Sequence, residues 1–209
     1  DALTRQRAGG SVPALANTTR LIGSLQNALG EPALARARLD EALAIARQHG
    51  LEEEEAQALF QRADVRRSDD DLAGAHADLE QSVELCRRAN ARQALAHSLG
   101  RLAVNLAEQG FLDRARPLLD EANALARACG SPVTLAITLR CASEVSLLQG
   151  RLDDARAGFL EAARLDLPLA NIAGIGVSLE RLAQVHVARG DLARAARLFG
   201  ACLLYTSPS

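Results

Sequence analysis

Apolar residues along the chain are spaced three and four apart, and glycine or another turn-forming residue interrupts them at regular intervals. In one stretch Leu99, Leu102 and Leu106 share a face, Gly110 interrupts, and Leu112, Ala115, Leu118, Leu119, Ala122 and Leu125 carry a second stripe. This pattern predicts two amphipathic helices joined at a glycine that closes the first in the left-handed conformation, which a Cβ disfavours.

The two-helix unit repeats. Ala35, Ala75, Ala115, Ala155 and Ala195 stand forty residues apart, and four positions further on come Leu39, Leu79, Leu119, Phe159 and Phe199. Gly23, Ala63, Ala103, Ser143 and Ala183 form a column of small residues, and Ala42, Ser82, Ala122 and Ala162 form another. Small side chains at these positions let paired helices approach closely. Gly30, Gly110, Gly150 and Gly190 fall in step at the turn inside each unit, with Asp70 in that slot of the second copy. The second helices end in step as well, at Gly10, Gly50, Asn90, Gly130 and Ala170. Ser131 and Pro132 supply an N-cap and a first-turn proline, and Asp71 a further N-cap. Units that cannot bury their apolar faces singly must stack on neighbours. The expected fold is therefore all-α, a right-handed superhelical solenoid of antiparallel helix pairs.

Composition narrows the chemistry. The 209 residues are 48% hydrophobic and 24% charged with a net charge of -2, which argues against disorder and against a nucleic-acid or anionic-membrane surface. Aromatics are 2%, too few for base-stacking platforms or an all-β core. Every basic residue other than histidine is Arg, so no lysine is present to form a Schiff base or a P-loop. Cys86, Cys129, Cys141 and Cys202 form no C-x-x-C pair and read as reduced thiols. His49, His76, His97 and His186 are scattered, with no H-E-x-x-H. The run Arg66 to Asp71 lacks the spaced ligands of a calcium loop and reads as a solvated turn. Gly174-Ile175-Gly176 is too short for a dinucleotide fingerprint, and small residues easing helix contact explain it. No serine or cysteine has a histidine and an acid at recognisable spacing. The expectation is no enzyme, cofactor or metal, no membrane span, and a cytoplasmic location.

The pattern Ala103, Gly110, Leu112, Ala115, Leu119, Ala122 resembles the tetratricopeptide repeat (TPR). It differs in length, forty against the usual ~34, and Leu99 and Leu106 stand where the family's first helix carries Trp and Tyr. Ala115-Arg116-Pro117-Leu118-Leu119-Asp120-Glu121-Ala122 and Arg194-Ala195-Ala196-Arg197-Leu198-Phe199-Gly200-Ala201 are similar to the C-terminal helical regions of large bacterial ATP-binding transcriptional regulators of the LuxR type and related signalling proteins. The resemblance implies a superhelix that holds a protein, a peptide or a small-molecule inducer in a concave groove and performs no chemistry of its own.

The resemblance also assigns the groove to the first helices. It places there Asn17, Arg20, Ser24 and Asn27, then Gln57, Phe60, Asp64 and Arg67, then His97, Gly100, Val104 and Ala107. Ile137, Arg140, Glu144 and Leu147 follow, then Val177, Glu180, Gln184 and Val187. Such a groove is polar at its start and apolar towards its end. It suits a peptide with an anionic group near Arg20 or Arg67 and an apolar stretch near Ile137 and Leu147. Ordinary solvated helix faces account for the same charges.

The leading functional expectation is the sensor or scaffold segment of a multidomain bacterial regulator. The alternatives are repeats attached to a cyclase, kinase or phosphatase unit, or a stand-alone assembly scaffold. Residues 1–10 align with 41–50 and read as the end of an earlier repeat, and residues 11–201 as a domain of about five repeats. The octapeptide Cys202 to Ser209 resembles a translated transposase sequencing adapter, that is, a non-native tail; the other reading is a short natural tail. The last helix should stop by about Thr206, because Pro208 disfavours helical geometry at Ser207. The second repeat should be the weakest, since Arg62 and Arg66 replace leucines and Asp70 replaces glycine, with fraying or outward rotation of its first helix.

Overall fold

The computed structural model describes residues 11–206, with side chains as far as Ala201. These residues form α1 (Val12–Ala28), α2 (Pro32–Gln48), α3 (Glu52–Ser68), α4 (Leu72–Arg88), α5 (Arg92–Glu108), α6 (Leu112–Cys129), α7 (Pro132–Leu148), α8 (Leu152–Asp166), α9 (Ile172–Ala188) and α10 (Leu192–Thr206). A short 3-10 turn, Leu167–Leu169, follows α8. No strand occurs among the described residues, and the fold class is an all-α helical-repeat solenoid.

The chain divides into two compact units, one ending at Ser98 and one starting at Leu99, with the division inside α5. In the first unit α1 packs on α2, α2 on α3, α3 on α4, and α1 also touches α3. In the second, α6 packs on α7, α7 on α8, α8 on α9 and α9 on α10, and α7 touches α9.

Chain reversal is set by backbone conformation at two columns. Gly30, Asp70, Gly110, Gly150 and Gly190 close the first helices with φ between 64° and 86°, and Gly50, Asn90, Gly130 and Ala170 close the second helices with φ between 50° and 63°. Several of the helices that follow are capped by a side chain: Asp71 Oδ1 accepts from the Gly74 N–H at 2.8 Å, Asn171 Oδ1 from Gly174 at 3.2 Å, and Ser131 Oγ from Thr134 at 3.3 Å. α10 runs to Thr206, as the position of Pro208 predicts. Residues 1–10 and 207–209 lie outside the described residues, and with them the assignments of Gly10 and the end of the tail.

Burial follows the forty-residue columns. Ala35, Ala75, Ala115 and Ala155 are fully buried, and so are Leu39, Leu79 and Phe159 four residues on. In the first unit Ala35 and Leu39 of α2 pack on Val65 of α3. In the second, Ala155 and Phe159 of α8 pack on Leu182 and Val185 of α9. The small-residue column is a column of close approach: a Cβ on Gly23 would lie 3.0 Å from Leu39 Cγ and 3.2 Å from the Ala35 carbonyl.

The second repeat corrects one expectation. Arg62 is neither unpaired nor rotated outward; α3 is a continuous helix, and the Arg62 side chain is 16% exposed. Its Nε and Nη2 donate to Asp78 Oδ2 and Oδ1 at 2.9 and 2.7 Å, and its Nη1 donates to Asp40 Oδ1 at 2.8 Å. Arg66 Nε lies 3.3 Å from the same Asp78 carboxylate. These partners hold the Arg62 guanidinium firmly in its charged form, the bond to Asp78 leading and Asp40 adding to it against the cost of burial. Asp78 occupies the column of Leu118 and Leu198, and Arg62 that of Leu102 and Leu182. The fifth repeat packs Leu198 beside Leu182, so the second repeat substitutes a forked ion pair for a leucine contact.

Two predictions follow from these packing arrangements. Ala170→Gly should raise stability by about 1 kcal/mol and Gly110→Ala should lower it by a similar amount, because a Cβ is costly at positive φ. Denaturant melts of the two variants check this. Asp78→Ala should cost about 3 kcal/mol, while Arg62→Leu combined with Asp78→Leu should recover most of that loss, since the penalty comes from stranding one buried charge. A double variant as unstable as the single one would contradict that account.

Candidate functional site

The first helices of the first unit enclose a cavity of about 310 Å³. Its walls come from α1 (Arg20), α3 (Glu53, Ala56, Gln57, Phe60, Gln61) and the start of α5 (Gln93, Ala94, His97, Ser98). The residue columns determine this arrangement. Gln57 and His97 occupy equivalent rungs, as do Arg20 and Phe60, so stacking the repeats brings them into one wall. A second opening lies beside it, lined by Asn17, Arg20, Glu53, Glu54 and Gln57 with the start of α1.

Arg20 is the charged centre of this wall. Its Nη2 donates to Asn17 Oδ1 at 2.6 Å, its Nε is buried without a hydrogen-bond partner, and among the described residues no carboxylate pairs with it. Burial without a compensating anion pulls its pKa below the usual guanidinium value. Gln61 Oε1 is likewise buried without a partner. Arg20 and Gln61, each with one buried polar atom lacking a partner, both line the cavity beside the half-buried ring of Phe60. Glu53 is engaged with its own helix, its Oε1 accepting from Gln57 Nε2 at 3.3 Å.

The second unit has a smaller cleft of about 100 Å³, lined by Val104 and Glu108 of α5, Glu144, Leu147 and Leu148 of α7, and Arg181 and Gln184 of α9. The buried Glu144 carboxylate sits between two arginines: Arg181 Nε is 2.9 Å from Oε1, and Arg101 Nη1 is 3.5 Å from Oε2. This cleft is walled by a neutralised ion cluster and two leucines.

The expected groove residues divide accordingly. Arg20, Gln57, Phe60 and His97 converge on the first unit's cavity, with Asn17 at the opening beside it. Val104, Glu144, Leu147 and Gln184 converge on the cleft. Asp64 and Arg67 lie further along α3, 3.7 Å apart, and Asn27 lies in the last turn of α1; none of the three lines either opening. Ile137 is half-buried and Glu180 exposed, and neither lines the cleft.

Arg140 has a structural engagement. Its Nη1 donates to the fully buried Asp166 Oδ2 at 2.5 Å, and Asp166 Oδ1 accepts from Asn171 Nδ2 at 2.7 Å. This carboxylate ties α7 to the end of α8 and the start of α9. It also accounts for Gly174, where a Cβ would collide with the Asp166 carboxylate.

Sequence reasoning did not select Glu53, Gln61, Gln93, Arg101 or Arg181 for the site. Glu53 and Gln93 stand one helical turn before Gln57 and His97, and Arg101 and Arg181 share a column forty residues to either side of Cys141, three before Glu144. Reading the flanks of each rung reveals them. Among the described residues no group of three or more His, Cys, Asp or Glu side chains is arranged to hold a metal ion, and no helix is long and apolar enough to cross a membrane.

The sequence matches no protein-family model and no curated protein. Solved structures do resemble the fold. A Rap protein complexed with competence and sporulation factor superposes with a TM-score of 0.76 at 14% identity, over 98% of this chain and 61% of its own. Aspartyl phosphate phosphatase F from Bacillus subtilis gives 0.75 at 13% identity, over 94% of this chain and 50% of its own. A thermophilic TPR protein of Thermus thermophilus gives 0.67 at 20% identity, over 91% of each chain. The chain thus spans only about half to three fifths of the first two, and at these identities the likeness is one of fold: a TPR-like helical repeat.

Proposed function

We propose that the chain is a protein- or peptide-binding repeat module whose first unit holds an acidic group of its partner at Arg20. The observation that carries this reading is the Arg20 guanidinium, which lines the cavity with a hydrogen bond to Asn17 and no carboxylate counter-charge. A peptide that brings a carboxylate to Arg20 supplies that counter-charge, and Phe60 offers an apolar surface to the adjoining chain. A volume of about 310 Å³ is at the lower end of small-molecule sites, which run to roughly 1,000 Å³, and suits a side chain or two of a peptide better than a large inducer.

The fold likeness to a Rap protein solved with competence and sporulation factor supports a binding role. The finer reading, a sensor or scaffold segment of a multidomain bacterial signalling or transcriptional regulator, rests on the repeat phrases around Ala115 and Ala195. The partner is protein or peptide, with no nucleic acid or membrane contact from this segment.

Random peptides displayed and selected on the wild-type chain test the reading. Enriched sequences should share an Asp, a Glu or a free C-terminal carboxylate, and calorimetry with Arg20→Gln should show binding weaker by about 10- to 30-fold, the worth of one charge-assisted hydrogen bond. Enriched peptides that bind Arg20→Gln as tightly as wild type would overturn it.

A further inference from the structure

The seam between α6 and α7, inside the second unit, is hollow: a cavity of about 320 Å³ opens there. Three residues that line it break the forty-residue columns. Ala142 stands in the column of Ile22, Arg62, Leu102 and Leu182, and Ser146 in that of Gln26, Arg66, Leu106 and His186. Asn123 stands in the apolar column of Leu43, Val83 and Ala163. Bulk is thus missing from α7, and an amide enters an apolar column on α6. Leu119 is only half-buried as a result, whereas Leu39, Leu79 and Phe159 of its column are fully buried. An unfilled seam and a polar group in an apolar column both cost stability, and an occupant that fills the one and bonds the other offsets that cost.

Counter-charges are missing from the same seam. Between α2 and α3, Arg36 of α2 pairs with Asp69, and Asp40 of α2 pairs with Arg62 of α3. Arg116 and Asp120 of α6 are the counterparts of Arg36 and Asp40, but the positions of Asp69 and Arg62 are held by Gln149 and Ala142. Among the described residues neither Arg116 nor Asp120 has an ion-pair partner, and both line the hollow. A cation and an anion therefore stand one helical turn apart, about 5–6 Å between Cβ atoms, each without the counter-charge that its column mate receives.

The polar groups around these charges suit a ligand that carries both signs. Gln149 Oε1 accepts from Arg151 Nε at 2.8 Å, which leaves the Gln149 Nε2 to donate. Arg151, held also by Asp154 and Ser146, lines the same hollow and adds positive charge at that end. Asn123, three residues after Asp120 on α6, has its Oδ1 buried without a partner. Leu112, Leu119, Ala142 and Val145 make up the rest of the lining.

We propose that this hollow binds a free α-amino acid with an apolar side chain. Its carboxylate replaces that of Asp69, accepting from Arg116 and Gln149 Nε2. Its ammonium replaces the Arg62 guanidinium, donating to Asp120 and to the Asn123 amide oxygen, and its side chain lies on Leu119, Ala142 and Val145. The volume is at the lower end of small-molecule sites, which begin at roughly 300 Å³, and fits a ligand of this size. The site is separate from the Arg20 cavity and does not rest on the reading given to it.

Calorimetric titration of the full chain with leucine, isoleucine and valine tests the proposal. At least one should bind, and its N-acetyl derivative and its decarboxylated amine should each bind more weakly by about 10-fold or more. Arg116→Gln and Asp120→Asn alter exposed positions, so each should keep its helical circular dichroism while weakening binding about 10- to 100-fold. Ala142→Leu, which supplies the side chain found at 102 and 182, should fill the hollow and abolish binding with the fold intact. The proposal is overturned if none of the three amino acids binds, if the N-acetyl derivative or the amine binds as tightly as the amino acid, or if Arg116→Gln and Asp120→Asn bind like wild type. A tripeptide that binds more tightly than the free amino acid overturns it as well, by giving the hollow to a protein partner.

Discussion

The constraint on which the structure depends is that no helix pair buries its own outer stripe. Leu39 packs on Val65 of α3, and Phe159 on Leu182 and Val185 of α9, in each case in the following repeat. Stability is thus a nearest-neighbour property, and the apolar surface that would form one globular core elsewhere is distributed along the chain as a series of thin seams. Alanine and glycine dominate these seams because the helices must come close enough for a single leucine or phenylalanine to fill the gap.

Charge is arranged around that constraint. Arg62 with Asp78, Arg140 with Asp166, and Glu144 with Arg101 and Arg181 all sit where helices meet, and each has a partner close at hand. Arg20 stands apart as a half-buried cation whose hydrogen-bond partner is an asparagine rather than a carboxylate. Because the other buried charges are neutralised in place, the unsatisfied potential of the first unit is concentrated at one cavity, and that contrast makes Arg20 informative.

Fold class, repeat period and the positions of the turns were legible in the sequence, because each rests on backbone conformation or on a small-residue column that recurs in phase. Asp70 and Ala170 take the left-handed conformation in the glycine slot, which shows that position in the repeat outweighs residue preference. What a single column could not reveal was compensation between columns. Arg62 compared with Leu102 reads as a flaw; Arg62 and Asp78 compared with Leu182 and Leu198 read as an alternative solution, and the two residues lie sixteen apart on different helices. The pairing of Arg140 was hidden for the same reason, since its partner Asp166 belongs to another helix. That Gln57 and Phe60 share one wall of a cavity was legible because one helix face carries both, and the flanking Glu53 and Gln61 were not.

The constancy of the turns has a genetic consequence. Successive helices from α1 to α6 are separated by three residues each, so excising or duplicating forty residues between equivalent turns rejoins the chain in frame and in register. The second repeat compensates Arg62 partly from within, at Asp78, and partly from Asp40 of the repeat before it. The fourth is different: Glu144 draws its counter-charges from the repeats before and after it, so its neighbours must bring arginine in the right column. Recombination along this gene is therefore restricted wherever a counter-charge crosses a repeat boundary, on one side of the second repeat and on both sides of the fourth.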